Sequence, residues 1–189
     1  AAGVNALAAR LRDTPPAPPP APAPAPPAPP VSMLPNGSFE TGAFAPWNAN
    51  GATLTGQGAR TGTWAARVTR NSLETTVPTV VGAPYKLSGW MRIVSETGSD
   101  WGGIRWEAAD SRWTTLAHSG FLLTSTSGAD WVKVAIGFVA TTTETHLMVG
   151  YFGGAGRSMV VLFDDLALTD ASSNQAPQVS PSIVVHGAT

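Results

Sequence analysis

Short apolar stretches separated by Gly, Pro, Asn and Ser recur between Leu34 and Asp170. Eight of them have the length and composition of β-strands: TWAARVTR, LETTVPTVV, YKLSGWMRIV, GGIRWEAA, WTTLA, WVKVAIGFVA, THLMVGYF and MVVLFDDLAL. No stretch keeps a helical period over three turns. Eight or more strands in about 135 residues predict an all-β antiparallel sandwich, either a jelly roll or an immunoglobulin-like arrangement. The jelly roll is favoured, because the chain has no cysteine for an immunoglobulin disulfide and the strand count is high.

The segments on either side of this region have a different composition. Residues 1–14 are a tail or the end of a preceding module, and residues 15–33 contain the run PPAPPPAPAPAPPAPP. Pro-Ala repeats without charges or large side chains form no core and favour a disordered, polyproline II-like linker. Residues 34–170 are the predicted sandwich, and residues 171–189 are a linker or the start of a following module. We therefore expect one folded domain that is tethered to others.

Charge and cysteine content narrow the classes of function. The formal net charge is -1, with 11 basic and 12 acidic residues. Basic residues do not cluster along the sequence, so neither nucleic acid nor a membrane surface is a predicted partner. The absence of cysteine excludes thiolate chemistry and Cys-ligated zinc, which leaves a hard cation bound by oxygen atoms as the expected metal. No apolar run approaches the roughly 18 residues of a membrane span.

Two predicted strands alternate between apolar residues, which we expect to face the core, and aromatic or charged residues, which we expect to face solvent. The solvent-facing set is Trp90, Arg92, Trp101, Arg105 and Glu107. Sugar C–H groups stack on aromatic rings, and hydroxyl pairs bond planar donors and acceptors, so this set predicts a carbohydrate site on one sheet face. Trp113, in a predicted loop, and Arg67, on a compatible face, extend it. The alternative is that Trp90 and Trp101 cover a sheet edge or pack under loops.

Five segments, taken together, resemble a known group of modules. LPNGSFETGAFAPW, ARTGTWAARVT, YKLSGWMR, DWVKVAIGFVA and MVVLFDDLALTD resemble, in order and spacing, the carbohydrate-binding modules grouped around families four, nine, sixteen and twenty-two. The resemblance covers roughly residues 34–170. Such modules are jelly rolls appended to secreted polysaccharide-degrading enzymes. The resemblance therefore implies a monomeric, non-catalytic module that binds a polysaccharide and is covalently linked to a catalytic domain.

The same resemblance implies a structural calcium ion that ties the first segment to the last strand. The implied ligands are the carbonyls of Ser38 and Trp64 together with Glu40, Thr61 and Asp164. Phe39 would be a core residue. Related modules often have a carboxylate at the position of Thr61, so this chain would hold the ion less tightly. Alternation alone leaves Asp164 and Asp165 open, with Asp164 preferred, and the competing interpretation is two surface acids without a metal.

Other aromatic and histidine residues are interpreted as structural. Trp47 and Trp131 resemble core positions, and the parity of Tyr151 predicts burial. His118 and His146 lack a second ligand at metal-binding spacing and are interpreted as structural or solvated.

Two other classes of function compete with glycan binding. A jelly-roll lyase or glycosidase needs two acids about 5–10 Å apart across a cleft, or an Arg/His/Tyr cluster. The Glu-x-Asp-x-x-Glu motif of jelly-roll glucanases is absent and Glu107 and Asp110 are a poor pair, so catalysis is not predicted. A cell-surface adhesion or spacer domain stays an alternative.

The predicted site gives a mild indication of ligand charge. Arg67, Arg92 and Arg105 have compatible parity for one face, and guanidinium groups match carboxylates and sulfates. This favours an acidic polysaccharide such as a uronate or a sulfated galactan, with neutral xylan or β-glucan left open.

Overall fold

The computed structural model describes residues 31–121 and 130–172, which form two antiparallel sheets packed as a sandwich. The five-stranded sheet has the order β1-β2-β9-β4-β7, and the four-stranded sheet has the order β3-β8-β5-β6. The strands are β1 (Thr53–Thr55), β2 (Ala65–Val68), β3 (Asn71–Pro78), β4 (Pro84–Gly98), β5 (Gly102–Asp110), β6 (Thr115–His118), β7 (Val132–Val139), β8 (Glu144–Gly153) and β9 (Arg157–Asp170).

The structure confirms the all-β sandwich and all eight predicted strands. The additional strand, β1, is three residues long and pairs with β2. Within residues 31–121 and 130–172 there is no α-helix, and hence no helix of the length and apolarity that a membrane crossing requires. The predicted tail at 1–14, residues 15–30 of the predicted linker and residues 173–189 lie outside the described residues.

The core lies between the two sheets and follows the predicted alternation. On β4, Tyr85 and Leu87 point inward and are at most 3% exposed. On the opposing sheet, Trp106 is fully buried and meets Phe163 of β9 edge-on, with ring centroids 5.8 Å apart. Burying each large apolar side chain stabilises the fold by about 1.5–3 kcal/mol, so this interface is the main source of stability.

The segment before β1 closes one part of the sandwich. Its backbone bonds to β9, with the Met33 amide donating to Leu168 at 2.7 Å. Phe39 is fully buried and contacts the rings of Phe44 and Trp47, at centroid distances of 6.0 and 6.2 Å. The predicted core positions of Phe39 and Trp47 are therefore confirmed, as is the burial of Tyr151.

A β-bulge between β4 and β9 resets which side chains face outward. The register passes from the pair Ser88–Ala167 to the pair Trp90–Asp164, so β9 has one residue more than β4 at this point. Asp165 lies in the bulge with φ of 50°. Gly89 faces it, and a Cβ there would lie 2.6 Å from the Leu166 side chain, which explains why glycine occupies this position.

Candidate functional site

The residues predicted to share one sugar-binding face are divided between the two sheets. Trp90 and Arg92 are on β4, in the five-stranded sheet, and Arg67 is on β2 of the same sheet. Arg105 and Glu107 are on β5, in the four-stranded sheet. Since the inner faces of the sheets pack against each other, their outer faces point away from one another. The prediction of a single face containing all these residues is wrong.

Trp90 is covered rather than open. The guanidinium carbon of Arg60 lies 3.8 Å from the centroid of its ring, and the Lys133 ammonium lies 5.8 Å away. Arg60 is held in place by an ion pair of 2.6 Å with Asp165. The loop between β1 and β2 therefore packs over Trp90, as the alternative interpretation of this residue required.

Trp131 also differs from its predicted role. It is half-buried and lies outside the inter-sheet core, at a centroid distance of 5.6 Å from the Arg92 guanidinium. The inward-facing residues of β7 include Ile136 and Phe138, which have the opposite parity. Trp131 therefore faces outward, and its assignment to the core was wrong.

The outer face of the four-stranded sheet gathers polar residues from adjacent strands. Trp106 points into the core, so its neighbour Glu107 points outward. The register places Glu107 beside Met148 on β8, and Met148 beside Glu74 on β3. One step along the sheet, His146 on β8 lies beside Thr76 on β3. We call this surface, from β3 to β6, the groove face.

One end of the groove face is a cluster of aromatic and charged groups that we call the Trp101 corner. Trp101 is 65% exposed and meets Phe121 edge-on at 6.2 Å, and the Arg105 guanidinium lies 5.9 Å from the Phe121 ring. Arg105 forms a 2.8 Å ion pair with Glu107, which also accepts a 2.5 Å hydrogen bond from the Thr115 hydroxyl. The structure thus brings Trp101, Arg105 and Glu107 together, but the charge of Arg105 is neutralised.

The other end is an open depression that we call the Trp113 cleft. Trp113 is 55% exposed and stacks face to face on His146, with centroids 4.0 Å apart and an interplanar angle of 4°. Nδ1 of His146 is 2.9 Å from the Thr76 hydroxyl, which fixes the orientation of the imidazole. The cleft has a volume of about 420 Å³ and is lined by Pro46, Asn48, Glu74, Thr75, Thr76, Trp113 and His146.

The turn that presents Trp113 is strained and is held by one carboxylate. Trp113 has φ of 64°, a left-handed conformation that is unusual for a bulky side chain. The Asp110 carboxylate accepts hydrogen bonds from the amides of Arg112 at 2.9 Å and Thr114 at 2.8 Å. The bond from the Thr114 amide is the main reason that the pKa of Asp110 lies below its ordinary value. Strain at an exposed aromatic that other groups hold in place points to a functional role.

Several residues of the groove face were not among the predicted site residues. Asn48, Glu74 and Thr76 line the cleft, and Phe121 completes the corner. His146, interpreted as structural or solvated, is the platform on which Trp113 stacks. Alternation in LETTVP would have placed Glu74 and Thr76 on the outer side of β3, but only the strand order shows that this side is shared with Trp113.

The acids predicted to bind calcium converge on the loop of residues 60–64. The Asp164 carboxylate is fully buried and accepts hydrogen bonds from the amides of Arg60 at 2.9 Å and Thr61 at 3.2 Å. The Glu40 carboxylate accepts from the amides of Thr63 and Trp64, both at 2.8 Å. Desolvation by burial raises the pKa of Asp164, so its charge is incompletely compensated.

This donor set fits a hard cation. Glu40 and Asp164 keep free lone pairs after these hydrogen bonds, and both touch the loop that contains Thr61 and Trp64. The described part of the chain has no cluster of three His, Cys, Asp or Glu residues able to bind a metal, so carbonyl oxygens would have to complete the coordination. Both acids of the pair contact this loop: Asp164 accepts from the backbone amides of Arg60 and Thr61, whereas Asp165 accepts from the Arg60 guanidinium and the Thr61 hydroxyl.

Comparison with known proteins identifies the fold. No family model and no curated protein matches the chain. TmCBM61 in complex with β-1,4-galactotriose is similar in structure, with a TM-score of 0.54 and 18% identity over 74% of this chain and 99% of that one. A family 16 carbohydrate-binding module gives a TM-score of 0.52 and 15% identity over 73% of this chain and 99% of that one. An arabinose-bound α-L-arabinofuranosidase, MgGH51, gives a TM-score of 0.50 and 15% identity over 73% of this chain and 26% of that one. The chain therefore has the jelly-roll fold of the carbohydrate-binding modules that its sequence resembles.

Proposed function

We propose that this chain is a non-catalytic carbohydrate-binding module that recognises a neutral glycan on the groove face. The observation that carries the proposal is the Trp113 cleft, in which a strained and exposed tryptophan borders a polar depression. TmCBM61 and the family 16 module, which align over 99% of their lengths, support binding as the activity of the whole domain.

The cleft combines the groups that a sugar ring requires. The exposed face of Trp113 offers a flat apolar surface for sugar C–H groups, and His146 behind it keeps the ring from rotating away. Glu74 and Asn48, which line the cleft, supply acceptors and donors for hydroxyl groups. Stacking would supply the contact area and the polar groups would select the orientation.

The charge of the groove face favours a neutral ligand. Arg105 is paired with Glu107, whereas the carboxylate of Glu74 lies in the cleft and accepts a hydrogen bond only from the Ser72 hydroxyl among the described residues. An acidic polysaccharide would meet this carboxylate without a free cation to offset it. The mild indication of an acidic glycan depended on three arginines sharing one face, and two of them lie on the other sheet. β-1,4-Galactotriose, held by TmCBM61, is likewise uncharged.

The proposed role of the module is to hold a linked, secreted, polysaccharide-degrading catalytic domain on its substrate. The Pro-Ala run before residue 31 supports this role as a spacer, and so does the occurrence of the same fold within the longer chain of an arabinofuranosidase. Binding then raises the local substrate concentration without new contacts to the enzyme. We propose that the module acts as a monomer in this role.

Affinity electrophoresis of the full chain tests the proposal. Gels containing xylan, β-glucan, galactan, alginate or no polysaccharide are run with the wild type, Trp113→Ala and the surface control Val139→Ala. We expect retardation in one neutral gel, loss of that retardation in Trp113→Ala, and no change in Val139→Ala, since Val139 is exposed on the other sheet. Free migration of the wild type in all neutral gels contradicts the proposal and favours the adhesion or spacer function.

We also propose that calcium binds at the loop of residues 60–64 and stabilises the fold. Glu40, Asp164 and Thr61 would hold it with the carbonyls of Ser38 and Trp64, and the ion would supply charge compensation for the buried Asp164 carboxylate. An ion that binds only the folded state at 100 times its dissociation constant stabilises that state by about 2.7 kcal/mol.

Thermal unfolding with added calcium or with a chelator tests this second proposal. We expect a higher melting temperature with calcium, and a smaller difference in Glu40→Gln, which keeps an acceptor oxygen but removes the charge. Magnesium is the matched control, because it demands a tighter octahedral site. Equal melting temperatures with calcium and chelator in the wild type would exclude the ion.

A further inference from the structure

The outer face of the five-stranded sheet carries cations that have no acidic partner. Three of the basic residues in the described part form ion pairs: Arg60 with Asp165, Arg105 with Glu107 and Arg157 with Glu96. Four others lie on outward positions of β2, β4 and β7 and make no ion pair with any described residue: Arg67, Lys86, Arg92 and Lys133. We call this surface the basic face.

The strand register sets the spacing of the cations. Arg67 and Arg92 both lie opposite Leu162 of β9, on either side of it, so their backbones are about 9–10 Å apart. Lys133 lies opposite Trp90, two residues along β4 from Arg92, which places it roughly 8 Å further on. Three cations thus form an oblique line across β2, β9, β4 and β7, from Arg67 through Arg92 to Lys133.

Arg92, at the centre of this line, is held in place without being neutralised. Its guanidinium lies against the backbone of the β1–β2 loop, where a Cβ on Gly58 would overlap it, and it lies 5.6 Å from the Trp131 ring. Leu162 is 2% exposed although it lies outside the inter-sheet core, which shows that this part of the outer face is well covered. No described residue accepts a hydrogen bond from Arg92, so an immobilised guanidinium has donors available for a ligand.

The two acidic residues of β9 at the bulge, Asp164 and Asp165, are already engaged by the β1–β2 loop. Asp165 pairs with Arg60, and the buried Asp164 accepts bonds from the backbone amides of Arg60, Thr61 and Asp165. Neither carboxylate is left to balance Arg67, Arg92 or Lys133. A chain of net charge -1 therefore presents one locally cationic surface, on the side of the sandwich opposite to the groove face.

We infer that the basic face is a second binding site, for a glycan that carries carboxylate or sulfate groups. Guanidinium groups match both anions with paired hydrogen bonds, and cations in an oblique line suit a ligand whose charges repeat along a chain. A nucleic acid fits less well, because binding of single strands relies on open aromatic platforms, whereas Trp90 is capped by Arg60 and Trp131 by Arg92. This site goes beyond the neutral glycan proposed for the groove face and does not depend on it.

Retention of the full chain in gels containing alginate or dextran sulfate, with unmodified dextran as the neutral control, tests the inference. We expect retardation in at least one acidic gel that weakens with added salt. Arg92→Gln should weaken binding of the retained acidic glycan about tenfold, and Arg67→Gln less, since Arg92 is the immobilised group. Arg70→Gln is the matched control: it removes one charge from an exposed residue in the β2–β3 turn, outside the basic face.

The outcomes separate this inference from the proposed function. Trp113→Ala should leave acidic retention unchanged, and Arg92→Gln should leave neutral-glycan retention unchanged. If Arg92→Gln fails to fold, as judged by its melting temperature, the variant Lys133→Gln is used instead, because Lys133 is exposed. We expect its affinity for the retained acidic glycan to fall a few-fold. Three outcomes would each overturn the inference. The wild type could migrate freely in both acidic gels, or the Arg92→Gln and Arg70→Gln variants could be retained equally. The third outcome is retardation by single-stranded DNA but by neither acidic glycan.

Discussion

Replacing Trp113 with glycine separates the effect of this residue on the stability of the fold from its effect on glycan affinity. Trp113 occupies a left-handed backbone conformation with φ of 64°, which glycine adopts without strain. Besides the Asp110 carboxylate, backbone contacts hold the turn: the amide of Trp113 donates to the Asp110 carbonyl at 2.9 Å, and the Asp110 amide donates to the Thr114 carbonyl at 2.9 Å. The substitution therefore removes the indole and the strain while the contacts that define the turn stay in place.

Two opposing terms decide the effect on stability. Relief of the left-handed conformation gains about 1–2 kcal/mol. Loss of the stack between Trp113 and His146 costs about 0.5–1.5 kcal/mol. The net change lies between a loss of about 0.5 kcal/mol and a gain of about 1.5 kcal/mol, or at most about 6 °C in melting temperature for a domain of this size. Binding should respond differently: removing roughly 60 Å² of apolar contact at about 25 cal/mol/Å² costs about 1.5 kcal/mol, close to a tenfold weaker affinity.

The assay is calorimetric titration with oligosaccharides of the glycan retained in the gels, paired with thermal unfolding of the same samples. The expected result is a melting temperature that changes little or rises slightly, together with an affinity reduced about tenfold. Trp113→Phe is the control, because it keeps an aromatic face and the strained backbone, and it should retain most of the affinity. A Trp113→Gly variant that binds like the wild type would refute the assignment of Trp113 as a sugar platform.

Two further predictions concern the framework. Gly89→Ala should lower the free energy of unfolding by about 1–3 kcal/mol, because its Cβ would lie 2.6 Å from Leu166 and 2.9 Å from Trp106. Gly137→Ala is the control and should be near neutral, because the nearest contact of its Cβ is 3.8 Å away. Urea unfolding of both variants checks this prediction. The pKa of Asp110 is lowered mainly by the Thr114 amide, so its carboxylate contributes stability above pH 3.8 that is lost as the pH falls through its folded-state pKa. Urea unfolding followed against pH should therefore show a smaller loss of stability over that range in Asp110→Asn than in the wild type. An equal loss in the two proteins would contradict the prediction.

Much of the architecture could be predicted from local patterns. Alternation in YKLSGWMRI and GGIRWEAA correctly separated inward residues such as Leu87 and Trp106 from their outward neighbours, because a half-buried strand must place apolar side chains on one side. Turn residues separated the eight predicted strands, although LETTVPTVV continues beyond Pro78, where β3 ends, and WTTLA begins in the turn before β6. Burial of Phe39 and Trp47 was expected from the resemblance of the opening segment to known modules, and the structure confirms it.

The composition of the site could not be predicted in the same way, since it depends on which strands are neighbours. β4 and β5 follow each other along the chain but belong to different sheets, so outward residues on the two strands point in opposite directions. The outward side of β5 is instead shared with β8 and β3, which brings Glu74 and His146 into the groove face. Parity was also lost at the bulge near Asp165, which is why alternation left Asp164 and Asp165 open.

Mapping of backbone amide chemical shifts during titration with the retained neutral oligosaccharide shows whether the glycan occupies the groove face. We expect shifts that concentrate on β3, β8, β5 and the Asp110–Thr114 turn, with the largest changes at Glu74, Trp113 and His146. Shifts confined to β2, β4 and β7, with the Trp113 turn unchanged, would contradict it.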